Sequence, residues 1–170
     1  FMLLTFIAEK IGDAGLEEQL SRLFWQPLGL KRICYNPLQK GFSYSEIAAT
    51  EQQGNTRDGY FNFPNIRQKT IWGEVQDEKA FHCMGGVSGH AGLFANGETL
   101  LKLFRLSYQE NRFFNPETLN HFMQGSTVEP TFGLGWRLNG AGMGYMFGDY
   151  ASPKAFGHTG WTGCLAIHDP

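Results

Sequence analysis

The chain is 170 residues long, 42% hydrophobic, 18% charged and 15% aromatic, with 22 glycines and a formal net charge of -2. This composition suits a globular domain that buries roughly 70% of its unfolded surface, and it excludes both a disordered chain and a disulfide-dense mini-protein. With 14 basic against 16 acidic side chains there is no field to attract a nucleic acid, and no apolar run approaches the roughly 20 residues of a membrane-spanning helix.

Residues 1–11 are apolar nearly all round and stop at Gly12, the pattern of a helix buried on most faces and therefore expected in a core. With no initiator methionine and no leader, the chain is expected to start inside that helix. Leu16, Leu20, Leu23 and Phe24 then recur at helical spacing, with Glu17, Glu18 and Arg22 between them and Pro27 as terminator, so a second, amphipathic helix is predicted. From 29 to 77 the pattern breaks at Asn36-Pro37, Gly54-Asn55 and Arg57-Asp58-Gly59. That punctuation predicts long surface loops with brief extended pieces, of the kind that carry binding groups.

Residues 77–84 predict one or two helical turns before the run Gly85-Gly86-Val87-Ser88-Gly89-His90-Ala91-Gly92-Leu93-Phe94, whose glycines mark a tight backbone path. Asn96 is an N-cap in type, with Glu98 in the first turn and Leu100, Leu101, Leu103 and Phe104 behind it. Asn115 repeats the signal with Pro116 and Glu117, then Leu119, Phe122 and Met123, and Gly125 as the stop. Residues 132–138 and 155–167 read as strands, and the glycine-rich 139–148 as a loop joining antiparallel neighbours. The last residues read as a strand that has reached its turn, so the chain is expected to be one partial domain over 1–170, cut at both ends.

Cys34, Cys83 and Cys164 are too widely spaced for a zinc pattern and odd in number, so buried free thiols are expected. Gly140, Gly142 and Gly144 lack the Lys-Ser/Thr of a phosphate loop, and no helix is expected after them. His82, Cys83 and His90 do not suit one tetrahedral ion, because adjacent side chains cannot easily both face it. Neither a metal nor a cofactor is expected. Gly86-Val87-Ser88-Gly89 misses the Gly-x-Ser-x-Gly nucleophile elbow by one place.

In Phe156-Gly157-His158-Thr159-Gly160-Trp161-Thr162-Gly163, a titratable side chain, a hydroxyl and a glycine follow one another along a strand. Such an edge offers donors and leaves room for the backbone of a peptide-like substrate; an interior hairpin with glycine for twist explains the same residues equally well.

Three landmarks carry a resemblance. Residues 1–30, closing in Phe24-Trp25-Gln26-Pro27-Leu28-Gly29-Leu30, resemble the two helices and Pro-Leu-Gly of the serine β-lactamase and penicillin-binding protein superfamily. The run from Gly85 to Phe94 resembles that family's Gly-Gly-Leu-Phe segment before a helix, and His158-Thr159-Gly160 stands in the place of its Lys-Thr-Gly or His-Thr-Gly strand motif. The class C low-molecular-weight penicillin-binding proteins of enterobacterial type have runs similar to Asn55-Thr56-Arg57-Asp58-Gly59, Trp72-Gly73-Glu74-Val75, Asp77-Glu78-Lys79-Ala80-Phe81 and residues 156–163. The resemblance implies an α/β (α+β) fold, a mixed antiparallel sheet with a helical subdomain, here incomplete. It implies that Thr159 binds the substrate carboxylate and that His158 stands where lysine usually supports the charge network. Unlike lysine, histidine loses its charge across neutral pH. By the same resemblance Gly160 leaves room for substrate, and the backbone N–H of Trp161 matches one oxyanion-hole donor.

The resemblance further implies, for the complete protein, acyl transfer through a seryl ester on D-alanyl-D-alanine peptides of peptidoglycan or on β-lactams, in the periplasm or at the inner membrane. The family's Ser-x-x-Lys nucleophile occurs nowhere in these residues. Its Tyr-x-Asn/Ser/Asp motif belongs ahead of the stretch resembling residues 1–30, and Tyr35-Asn36 is no substitute because nothing separates the two residues. Catalysis is therefore expected to be missing from this chain alone, with no catalytic residue in it. Two alternatives stand beside this: a non-catalytic product limited to binding or to self-association through an exposed sheet edge, and an esterase of the same fold.

Overall fold

A computed structural model describes residues 1–52, 65–107 and 113–170. The turn Gly54-Asn55 and the run Asn55-Thr56-Arg57-Asp58-Gly59 lie outside them. The chain falls into two compact units, Phe1–Thr99 and Leu100–Pro170. Helices and small antiparallel sheets alternate in a mixed α/β architecture, as expected. Among the described residues no helix is long and apolar enough to cross a membrane.

The first unit opens with α1, Met2–Gly12, which ends where Asp13 turns left-handed at φ 48°. α2, Leu16–Leu20, runs on into a wider π turn, Ser21–Trp25. Gln19 fastens the two helices by donating from Nε2 to the carbonyls of Ala8 at 3.0 Å and Ala14 at 2.6 Å. β1, Ile33–Cys34, then waits some sixty residues for its antiparallel partner β4, Phe94–Ala95, with Ile33 opposite Ala95 and Cys34 opposite Phe94. Between them β2, Ala49–Glu51, pairs with β3, Ile71–Trp72. α3, Glu78–Met84, is capped by Asp77, whose carboxylate accepts from the Ala80 N–H at 2.9 Å. The buried Arg67 guanidinium pins its own segment to this helix: Nε donates to Glu78 Oε1 at 2.9 Å, and the group lies 4.0 Å over the Phe81 ring.

Two expectations are overturned in this unit. α1 is not buried on most faces: Thr5 is its only buried residue, while Leu3 is 75% and Ile11 81% exposed. Apolar periodicity says that a face is worth covering, but not which segment covers it. Conversely, the stretch from 29 to 77 has its brief extended pieces in β1, β2 and β3 but does not lie wholly at the surface, for Leu30, Ile33, Tyr35, Ile71 and Val75 are all buried there. Strands of two or three residues are too short to leave a period in the sequence, so their inward side chains pass unnoticed.

The unit boundary falls within α4, Gly97–Phe104, whose Asn96 cap accepts from the Thr99 N–H at 3.0 Å. In the second unit α5, Pro116–Met123, is capped by Asn115 accepting from the Glu117 N–H at 2.8 Å. Both caps fall where the sequence places them. β5, Arg137–Leu138, α6, Gly144–Phe147, β6, Phe156–Thr159, and β7, Leu165–His168, complete the chain, and the strands form one antiparallel sheet in the order β5-β6-β7. Residues 155–167 therefore hold a hairpin, one of the two readings the sequence left open over 156–163. Met143, Met146, Phe147 and Ala155 form a buried cluster, and Phe156 packs edge-on against Trp136 with ring centroids 5.3 Å apart. A helix does follow the Gly140-Gly142-Gly144 series, contrary to expectation, but it is a single turn of four residues. Of the three free thiols only Cys34 is buried; Cys83 and Cys164 are exposed, because one sits on the outer side of α3 and the other in the hairpin loop.

Candidate functional site

β7 pairs with the whole of β6, setting His158 opposite Ala166 and Thr159 opposite Leu165. β5 covers the other side only at Phe156 and Gly157. It stops there because the chain has just turned: the Gly133 N–H donates to the Trp136 carbonyl at 3.0 Å, and Gly135 takes φ 80°. Among the described residues, then, β6 is an inner strand over Phe156 and Gly157 and an open edge over His158 and Thr159. Burial follows the same division, since the first two residues are buried and the second two exposed. An extended peptide can add to such an edge through main-chain hydrogen bonds.

The four sequence-predicted residues His158, Thr159, Gly160 and Trp161 are consecutive and all exposed, Trp161 at 64%. His158 Nδ1 lies 2.7 Å from the Thr159 carbonyl oxygen. A carbonyl only accepts, so Nδ1 carries a proton, and Nε2 of the neutral ring is an acceptor. The loop after Thr159 is closed twice, by the Gly160 N–H to the Cys164 carbonyl at 2.6 Å and by the Gly163 N–H to the Gly160 carbonyl at 3.1 Å. Gly163 takes φ 91°, which L side chains rarely adopt, and this sets Trp161 and Thr162 at the tip. A Cβ on Gly160 would come within 3.3 Å of Cys164 Cβ, a tight fit but not a clash with backbone. Behind the sheet His168 is buried against Phe156, ring centroids 4.8 Å apart, and that burial holds its imidazole below the usual range although Asp169 pulls the other way.

A second constellation occupies the glycine run of the first unit. Ser88 Oγ is 2.7 Å from His90 Nδ1, and His90 Nε2 is 3.3 Å from Asp77 Oδ1. An ionised carboxylate only accepts, so Nε2 carries the proton and Nδ1 accepts from the Ser88 hydroxyl. The residue types are those of a hydrolase triad, yet Ser88 is 1% exposed and cannot meet a substrate. The trio instead anchors the run. The buried Tyr35 hydroxyl donates to the Ser88 carbonyl at 3.1 Å, and the Gly89 N–H donates to Thr5 Oγ1 at 2.9 Å. Burial, with Glu17 adding to it, pushes the Tyr35 phenol up to about 12. Gly92 permits the path at φ 100°, where a Cβ would strike the Gly86 carbonyl.

His82 is not brought to His90; its Nε2 faces Glu78 Oε2 at 3.2 Å. Among the described residues no three His, Cys, Asp or Glu side chains gather as a metal site. The string Tyr60-Phe61-Asn62 also has Tyr-x-Asn spacing; it follows the Pro-Leu-Gly landmark and lies outside the described residues.

The family description Beta-lactamase fits residues 1–170. The chain is 49% identical over 176 aligned positions to an Escherichia coli protein bearing the provisional name D-alanyl-D-alanine carboxypeptidase, with 100% of this chain and 41% of the relative covered. It is likewise 49% identical to a Bacillus subtilis protein named N-acetylmuramyl-L-alanine amidase, all of this chain matching 40% of that one. A Salmonella schwarzengrund protein with the same provisional carboxypeptidase name is 48% identical, again over 100% of this chain and 41% of the relative. The chain thus spans about two fifths of the length of these curated relatives. No solved structure matches it.

Proposed function

The chain belongs to the beta-lactamase family, and from that premise we propose that it supplies the carboxylate-binding strand and one oxyanion-hole donor of a serine acyl-transfer enzyme acting on D-alanyl-D-alanine peptides. The observation that carries this reading is the open edge of β6 at His158 and Thr159, with both side chains exposed beside it. The Thr159 hydroxyl donates to the C-terminal carboxylate of the peptide, and His158, when protonated, adds a positive charge next to it. The peptide backbone lies along the strand edge, and Gly160 lets it approach. The Trp161 N–H helps to hold the oxyanion as a serine oxygen attacks the amide carbonyl, after which the amine of the terminal D-alanine leaves with a proton. That serine is not in these 170 residues, which contain no Ser-x-x-Lys. We therefore assign it to sequence of the full-length protein outside them.

Two measurements test the reading. The 170-residue chain with excess benzylpenicillin should keep its intact mass, whereas a stable acyl adduct would overturn the assignment of the nucleophile elsewhere. In a full-length protein containing this segment, Thr159→Val should lower kcat/KM for a D-alanyl-D-alanine peptide roughly tenfold or more, the scale of one charge-assisted hydrogen bond. An unchanged value would remove the carboxylate role from β6.

A second reading, an amidase that frees the stem peptide at its L-alanine end, is favoured by the Bacillus subtilis relative of equal identity. Product masses from muropeptides separate the two, since one releases D-alanine and the other a whole peptide.

A further inference from the structure

The first unit has an open recess of about 630 Å³ between the α2 segment and β1, a size ordinary for small-ligand sites. Its floor is apolar, made by the buried Trp25, Ile33 and Cys34. Burial, with Glu17 adding to it, pushes the Cys34 thiol up and keeps it neutral. The rim is ionic but unevenly matched. Glu17 is already committed, with Oε2 3.0 Å from Lys40 Nζ and Oε1 accepting the Tyr35 N–H at 3.0 Å. Arg22 and Lys31 line the same recess, and neither side chain has an ion pair or hydrogen bond among the described residues. Glu18 is the one lining acid not already paired there. Two uncompensated cations against one uncompensated anion leave the rim short of one negative charge.

We propose that this recess binds a short peptide by its free C-terminal carboxylate, held by Arg22 and Lys31 above the Trp25 floor. A guanidinium grips a carboxylate with two parallel donors. The small apolar side chains next to such a carboxylate then rest on the floor, and Glu18 faces the amide N–H groups of the ligand. A bare phosphate fits less well: it makes no use of the apolar floor, and its higher charge meets two carboxylates at the rim. The recess itself does not depend on the reading of β6, while the choice of a D-alanyl-D-alanine probe rests on the substrate class proposed above.

The test is an NMR titration of the isotopically labelled 170-residue chain with N-acetyl-D-alanyl-D-alanine, its C-terminal amide and inorganic phosphate. The acid should give saturable shifts at the Trp25 indole and the Cys34 amide, with the amide and phosphate at least about tenfold weaker, one order being about 1.4 kcal/mol. Arg22→Glu should weaken the acid to the same degree while leaving the unfolding midpoint in place, and Lys31→Glu serves if that variant does not fold. Equal binding of acid and amide, preferential binding of phosphate, or no saturable shift overturns the proposal. So do shifts confined to Trp161, which would place the carboxylate on β6 and support that reading alone.

Discussion

One imidazole, His90, joins a hydroxyl two residues away to a carboxylate thirteen residues away, and both partners have other work: Asp77 caps α3, and Ser88 carries the carbonyl that Tyr35 holds. Removing the ring would leave the fully buried Ser88 hydroxyl without its acceptor. His90→Ala should therefore cost about 1–3 kcal/mol of stability in the first unit, as a lower urea midpoint. A loss within about 0.5 kcal/mol, the range of a surface substitution, would show that the trio does not anchor the run. A serine and a histidine two places apart were legible in the sequence. The partner Asp77 was not, since a side-chain hydrogen bond across thirteen residues leaves no periodic trace.

Among the elements, β7 shows what burial does to a strand carrying a titratable residue. His168 packs against Phe156, which it faces across the sheet. Burial lowers its folded-state pKa, so as pH falls through about 6.5 the unfolded chain takes up the proton before the folded one does. The contribution of the neutral ring is thus complete above that pH and is lost as pH falls toward the depressed value. Thermal unfolding of the wild type should weaken between about pH 7.5 and pH 5.5 more than that of His168→Phe, which keeps an aromatic ring against Phe156. Equal slopes would refute the effect of burial. The helices capped by Asn96 and Asn115 were readable because a cap and its helix are contiguous. The hairpin stood in the sequence only as one of two equal readings of residues 156–163, because its loop lacks an Asn-Gly or Asp-Gly signal and turns instead on Gly163.

At the scale of the molecule, the question is which surfaces the described residues leave open. The outer edge of β7 has no strand partner among the described residues, and Leu165 and Ile167 are 53% and 38% exposed. Unprotected edges pair with one another, so size-exclusion chromatography of the 170-residue chain should show an apparent mass that rises with concentration. A constant monomer over a roughly hundredfold range would exclude edge pairing. Taken together, the sequence by itself determined the family, the mixed α/β class, the helix starts at Asn96 and Asn115 and the position of the His158-Thr159-Gly160-Trp161 motif. Each is written in contiguous residues or in short motifs whose order alone is informative. Only the tertiary structure decided that β6 is covered at Phe156 and open at Thr159, that β1 finds β4, and that no segment among the described residues covers the apolar face of α1. Those outcomes depend on which distant segments meet, and a local pattern records what a face needs but never the partner that supplies it.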